Sequence, residues 1–142
     1  MMQFPRHAFA VLAFALAATP ALAFDGKTVT DATGRDVQVP ANPAKVFAAG
    51  PPAATLLYTL KPQAMIGWVR PVKPADHPYL LPEVRDLPEL GRLTGRGDTL
   101  NLEVLLSTSP DLIIDYGTVN ATYIDLAGRI QQQAGVPYLL FD

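Results

Sequence analysis

The pattern of apolar positions predicts four buried strands. Short, largely apolar runs are typical of strands in a parallel sheet that is covered on both faces. The chain has such runs at Val46–Ala49, Gln63–Val69, Leu112–Ile114 and Pro137–Phe141. Ahead of them, two β-prone segments at 28–30 and 37–39 flank a turn that contains Gly34, and this arrangement predicts a small hairpin.

Helical segments are predicted between these strands. Ala53–Leu60 follows two prolines, and Thr122–Gln133 carries apolar residues at helical spacing before Gly135, a typical C-cap. A shorter helix is expected after Asn101, which stands at an N-cap position, and Pro110 closes it. Strands that alternate with helices indicate an α/β fold, a Rossmann-like parallel sheet with helices on both faces, here preceded by the hairpin.

The first 23 residues predict a secretory signal peptide. Arg6 and His7 give a short positive region, and an unbroken apolar run follows from 8 to 18. Ala21-Leu22-Ala23 is a small-x-small cleavage site, so cleavage is expected before Phe24. The apolar run is shorter than the ~20 residues that a membrane-spanning helix needs. The alternative interpretation is an uncleaved anchor.

The composition of the mature segment excludes several classes of partner and site. Removal of residues 1–23 takes away Arg6 and leaves ten basic and thirteen acidic residues, a net charge near −3. This balance argues against nucleic acid as a partner, which requires a concentrated basic face. The chain has no cysteine, so disulfides, thiol catalysis and thiolate metal sites are excluded.

One stretch carries a resemblance to a known family. Asn101-Leu102-Glu103, then a short helix, then Pro110-Asp111-Leu112-Ile113-Ile114 resembles the amino-terminal lobe of periplasmic binding proteins for iron-siderophore, haem and vitamin B12 uptake. These proteins are the soluble receptors of ABC importers. The resemblance covers the mature chain but only about half of a family member. Residues 24–142 are therefore expected to be a truncated amino-terminal lobe with the second lobe absent, or a natural one-lobe protein.

The resemblance implies a transport function without a chemical step. A monomeric periplasmic receptor would capture a ferric siderophore, or a related metal complex such as haem or cobalamin, and deliver it to the membrane permease of the importer. It would need no cofactor of its own and no metal site built from protein ligands. Two alternatives remain open: a non-functional truncated product, and an exported α/β enzyme whose only candidate acids are Asp98 and Asp115.

The predicted ligand site lies where the strands end, because ligands of open α/β sheets bind outside the carboxyl ends of the strands. Residues from four segments are assigned to it: Gly50, Pro51, Trp68, Arg70, Arg96 and Tyr116. Tyr116 would offer a flat apolar wall, and Arg70 and Arg96, with Arg92, would pair with an anionic ligand. Trp68 could instead belong to the core, and each arginine could be a solvated surface residue.

Two further residues are candidates for other roles. Glu103 matches the glutamate that, in the family, docks onto arginines of the permease, although a charge in the first helical turn also suits the helix dipole. His77 is the only histidine of the mature chain, and one histidine without cysteines makes a poor metal site. His77 is therefore interpreted as a surface residue.

Overall fold

A computed structural model describes residues 25–94 and 102–142 of the chain. Two strands, β1 (Gly26–Thr30) and β2 (Asp36–Pro40), form an antiparallel hairpin in which Val29 pairs with Val37. The turn between them contains Gly34 at a φ of 79°, which glycine adopts without a Cβ clash. The predicted hairpin is confirmed.

The centre of the molecule is a parallel sheet of three strands, β3 (Val46–Ala48), β4 (Leu112–Tyr116) and β5 (Tyr138–Phe141). Their order is β3–β4–β5, so β4 lies in the middle. Leu112 of β4 pairs with Val46 on one side, and Ile113 pairs with Tyr138 on the other. All three strands lie where apolar runs predicted them.

Helices connect these strands. They are α1 (Pro51–Leu60), α2 (Pro82–Arg85), α3 (Leu102–Thr108) and α4 (Ala121–Ala134), with 3₁₀ turns at Pro62–Ala64 and Pro74–Tyr79. At the start of α4 the Asn120 side chain accepts a hydrogen bond from the Tyr123 N–H at 3.2 Å. The helix ends at Gly135, whose φ is 67°, and this confirms the predicted C-cap.

The two faces of the sheet carry separate apolar clusters, because successive side chains of a strand point to opposite faces. Leu112 and Ile114 pack with Leu57 of α1 on one face. Ile113 packs with Leu105 of α3 and Ile130 of α4 on the other face. Helices therefore cover both faces, as the α/β prediction required.

The predicted strand at Gln63–Val69 is wrong as a continuous element. Within this run, the structure has only single bridges, from Met65 to Val46 and from Trp68 to Glu89. The backbone N–H of Met65 donates to the Pro62 carbonyl at 3.0 Å, which closes a 3₁₀ turn. The 3₁₀ turn occupies the beginning of the run, where a strand would require extended backbone.

The hairpin turn is fastened to the outer strand of the sheet. The Ala32 N–H donates to the Leu140 carbonyl at 2.9 Å. Arg35 donates to the Asp31 carboxylate at 2.5 Å and, from the same Nη2 atom, to the Tyr138 carbonyl at 3.1 Å. These contacts cover part of the backbone edge of β5, which would otherwise be open to another strand.

Several predictions fall on residues that the structure does not describe. The signal peptide at residues 1–23, the N-cap Asn101 and the ligand candidate Arg96 lie outside the described ranges. Within residues 25–94 and 102–142, no helix combines the length and the apolar character that spanning a membrane requires.

Candidate functional site

A cavity of about 280 Å³ opens at the carboxyl end of the parallel sheet. It lies between the turn that follows β3, the segment that follows β4, and the chain at Arg92 and Thr94. Three of the predicted ligand residues line it together: Gly50, Pro51 and Tyr116. They are brought together because β3 and β4 are parallel neighbours that end at the same edge.

Gly50 keeps the floor of this cavity open. A Cβ at this position would lie 3.1 Å from Thr94 Oγ1 and 3.8 Å from Asp115 Oδ1. Thr94 is held close because its backbone N–H donates to the Ala49 carbonyl at 3.2 Å. Any larger residue at position 50 would therefore crowd the polar groups of the floor.

Asp115 forms the acidic part of the floor, and its residue is only 6% exposed. Its Oδ2 accepts a hydrogen bond from the Tyr138 hydroxyl at 3.2 Å. Its Oδ1 accepts from the Tyr116 backbone N–H at 3.0 Å and lies 3.4 Å from the Thr94 hydroxyl. No lysine or arginine within residues 25–94 and 102–142 forms an ion pair with it.

Burial shifts both members of the Asp115–Tyr138 pair towards their protonated forms. Desolvation raises the pKa of Asp115 above its ordinary value, although the hydrogen bonds from Tyr138, Tyr116 and Thr94 oppose the shift. Desolvation, together with the negative charge of Asp115, also raises the pKa of Tyr138. The tyrosine is therefore a hydrogen-bond donor to the carboxylate at any physiological pH.

Tyr116 forms an exposed wall of the cavity. It is the last residue of β4, and 42% of it remains exposed. The next residue, Gly117, donates its N–H to the Phe141 carbonyl at 2.9 Å, which joins the end of β4 to the end of β5. Tyr116 also borders a second, mainly apolar cavity of about 410 Å³ together with Leu60 and Phe141.

Trp68 and Arg70 do not line the cavity at the sheet edge. The Trp68 indole Nε1–H donates to the Val84 carbonyl at 2.7 Å, and its ring centroid lies 5.8 Å from that of Tyr58. Trp68 is thus packed against the core cluster on the α1 face. Arg70 is exposed in the chain that follows.

Of the two remaining candidates, Arg92 lies at the cavity and His77 does not. Arg92 lines the cavity, so one predicted cation stands beside the predicted aromatic wall. His77 lies in the 3₁₀ turn Pro74–Tyr79 and is half-buried. Among the described residues, no three or more histidine and acidic side chains are grouped closely enough to hold a metal ion.

Comparison with solved structures identifies the fold. No protein family model matches the chain, and no curated protein matches it. An ABC transporter solute-binding protein from Sulfurospirillum deleyianum is 24% identical with a TM-score of 0.63, over 80% of this chain and 35% of that one. The molybdate periplasmic binding protein MolA of Haemophilus influenzae is 18% identical with a TM-score of 0.58, over 80% and 34%. The haem-binding protein HmuT is 23% identical with a TM-score of 0.51, over 88% and 36%.

The chain has the fold of one part of an ABC transporter solute-binding protein. This finding confirms the resemblance stated for Asn101–Ile114 at the level of fold. The chain spans about a third of the length of the solved structures that it matches. Those structures are a solute-binding, a molybdate-binding and a haem-binding protein.

Glu103 does not line the cavity. It is exposed in the first turn of α3, and Leu106, three residues later, is exposed as well. Residues three apart on a helix are neighbours on its surface. The structure thus places an acidic and an apolar side chain next to each other on an outer helix.

Sequence reasoning missed Thr94 and Tyr138 as parts of the site. Thr94 lies in a proline- and glycine-rich stretch with no pattern of its own, and Tyr138 looked like an ordinary strand residue. The alternation of side chains along the strands was the one available signal. Tyr138 pairs with Ile113, and Ile113 and Asp115 are two residues apart on β4, so all three side chains lie on the same face of the sheet. Of the two acids proposed for an enzyme, Asp115 is held by hydroxyl and amide donors, and Asp98 lies outside the described residues.

Proposed function

We propose that residues 24–142 are the amino-terminal lobe of a periplasmic solute-binding component of an ABC importer. In this proposal the lobe captures a ferric siderophore, or a related complex such as haem or cobalamin, and delivers it to the permease. The observation that carries the proposal is a cavity at the carboxyl ends of β3 and β4, lined by Gly50, Pro51 and Tyr116, in a fold shared with solute-binding proteins. MolA binds molybdate and HmuT binds haem, so proteins of the same fold bind different ligands.

The size of the cavity fits one wall of a binding site. Its volume of about 280 Å³ lies below the range of about 300–1,000 Å³ that is usual for pockets enclosing a drug-sized ligand. Tyr116 presents a half-exposed ring at the mouth, which suits contact with a flat or bulky apolar complex. A ligand resting here would extend beyond the cavity, towards a second wall supplied by other parts of the protein.

Docking to the permease is assigned to a different surface. Glu103 is exposed on α3 and does not line the cavity. An exposed carboxylate that meets basic residues of a partner orients the encounter and accelerates association more than it adds affinity. Ligand capture and docking would therefore be separable by mutation. A signal peptide at residues 1–23 would direct the lobe to the periplasm. There the protein would act as a monomer.

Two substitutions test this division. Tyr116→Ala should weaken the binding of a ferric tris-hydroxamate or of haemin by about tenfold or more, because an aromatic wall contributes roughly 1–3 kcal/mol of burial. Tyr79→Ala is the matched control, since Tyr79 is 83% exposed on a 3₁₀ turn outside the cavity. Glu103→Ala should leave ligand affinity unchanged and slow iron uptake by cells that carry the substitution.

Binding is measured by isothermal titration calorimetry on residues 24–142 and on any longer natural form of the chain. Equal losses of ligand affinity for Tyr116→Ala and Tyr79→Ala would show that the cavity is not the ligand site. Absence of binding to every iron complex in both forms would overturn the proposed function.

A further inference from the structure

The floor of the cavity carries a buried charge. Among its described lining residues, Asp115 is the one charged group that is almost completely buried. A carboxylate in such a position repels an approaching anion strongly, because the low local dielectric screens their interaction poorly. The floor is thus the opposite of what an oxyanion such as molybdate would require.

Some of the backbone N–H groups at the helix ends near the cavity are missing or already used. Helix N-termini bind oxyanions through unpaired backbone N–H groups. At the start of α1, the first two helical residues are Pro51 and Pro52, which have no N–H to offer. At the start of α4, the Asn120 side chain already accepts the Tyr123 N–H at 3.2 Å.

Asp115 retains capacity to accept a hydrogen bond from a ligand. The Thr94 hydroxyl lies 3.3 Å from the Ala49 carbonyl and 3.4 Å from Asp115 Oδ1. Its single proton can serve only one of these acceptors. When it serves Ala49, Oδ1 keeps only the Tyr116 N–H as its donor, and a carboxylate oxygen accepts about two bonds.

We propose that Asp115 determines the specificity of this cavity: it admits ligands that present an ammonium or another hydrogen-bond donor to the floor, and it excludes small oxyanions. This inference rests on the proposed function of the same cavity. Arg92 is the other charged residue among the described residues that line the cavity. The favoured ligand is a metal complex with a pendant donor group, such as an amine-bearing hydroxamate.

A pair of matched probes tests the proposal. One is a ferric tris-hydroxamate with a free ammonium tail, and the other is the same complex with that amine acetylated. The wild-type protein should bind the ammonium form about tenfold more tightly, and Asp115→Asn should abolish this preference. Molybdate should show no saturable binding to the wild-type protein.

Asp111→Asn is the control variant. Asp111 precedes the opposite end of the same strand, where it accepts hydrogen bonds from the Ala44 and Lys45 backbone N–H groups and does not line the cavity. This variant should keep the wild-type preference for the ammonium probe. Tyr138→Phe serves as a second variant, because it retains the Asp115 charge and frees Oδ2 from its donor. Its preference for the ammonium form should equal or exceed that of the wild-type protein.

The outcomes separate the two proposals. If the iron complexes bind but the wild-type protein shows no charge preference, or Asp115→Asn retains it, the specificity inference fails and the proposed function stands. Saturable molybdate binding to the wild-type protein would overturn the inference as well. If neither complex binds to any variant, the proposed function fails and the inference falls with it.

Discussion

Asp31 and Asp115 are the two buried acidic residues of the described chain, and their surroundings are opposite. Asp31 lies in the hairpin turn, where it forms an ion pair with Arg35 and accepts the backbone N–H groups of Thr33 and Arg35. Asp115 lies at the end of β4, where its partners are two hydroxyls and one backbone N–H. The first carboxylate has its charge compensated by Arg35, whereas no basic side chain of the described residues forms an ion pair with the second.

The pKa values follow this difference. Burial raises the pKa of Asp31, but hydrogen bonds from Thr33 and Arg35 together outweigh burial and lower the pKa below its ordinary value. At Asp115 burial prevails, and the pKa is raised. Proteins retain a buried charge that costs stability mainly where it serves binding or chemistry. We therefore interpret Asp31 as a residue that stabilises the fold, and this contrast supports the proposal that Asp115 is a binding residue.

The largest predicted effect is on stability. Asp31→Asn removes the ion pair within the hairpin turn that holds Arg35, and Arg35 in turn donates to the Tyr138 carbonyl of β5. We expect it to lower the free energy of unfolding by about 2–3 kcal/mol, because a buried ion pair loses one partner while Arg35 stays partly buried. Asp115→Asn should change it by less than about 1 kcal/mol, since the amide oxygen still accepts the Tyr116 N–H. Urea unfolding followed by circular dichroism measures both values. A larger loss for Asp115→Asn than for Asp31→Asn would reverse the assignment of the two residues.

A smaller effect is expected in the pH dependence of stability. A lowered folded-state pKa means that the Asp31 contribution is present above its ordinary value of 3.8 and is lost as the pH falls through the lower folded pKa. A raised folded-state pKa means that stability associated with protonated Asp115 is present below 3.8 and is lost as the pH rises through the higher folded pKa. As the pH rises, the stability of the wild-type protein relative to Asp31→Asn should therefore increase. Over the same range, the stability of the wild-type protein relative to Asp115→Asn should decrease.

Unfolding free energies measured across the acidic range for the three proteins provide the test. Parallel pH profiles for the two differences would show that the carboxylates experience similar environments. That result would remove the physical basis for treating Asp115 as a binding residue.

Local sequence patterns predicted most of the fold. The three strands, the hairpin turn at Gly34 and the end of α4 at Gly135 follow from apolar runs and glycine positions, which act over a few residues. The strand predicted at Gln63–Val69 failed because Pro62 starts a 3₁₀ turn that an apolar run does not reveal. The attachment of the hairpin to β5 was not foreseen, since the Arg35–Tyr138 contact joins residues 103 positions apart.

The candidate site was predicted only in part. The rule that ligands bind at the carboxyl ends of parallel strands placed Gly50, Pro51 and Tyr116 together, and the structure has them around one cavity. The same rule placed Trp68 there, but the segment that carries it is not a strand of the sheet. Thr94 and Tyr138 reach Asp115 from distant parts of the chain, and a single sequence holds no record of such contacts.

The most direct test of the central claim is to map the ligand contact by NMR. The ¹⁵N-labelled chain is titrated with a gallium(III) tris-hydroxamate, a diamagnetic substitute for the ferric complex. We predict that the amide signals of Gly50, Thr94, Tyr116 and Gly117 shift with a common saturation curve, while those of the β1–β2 hairpin do not. Saturable shifts confined to residues around the apolar cavity at Leu60 and Phe141, or no shifts at all, would contradict the account.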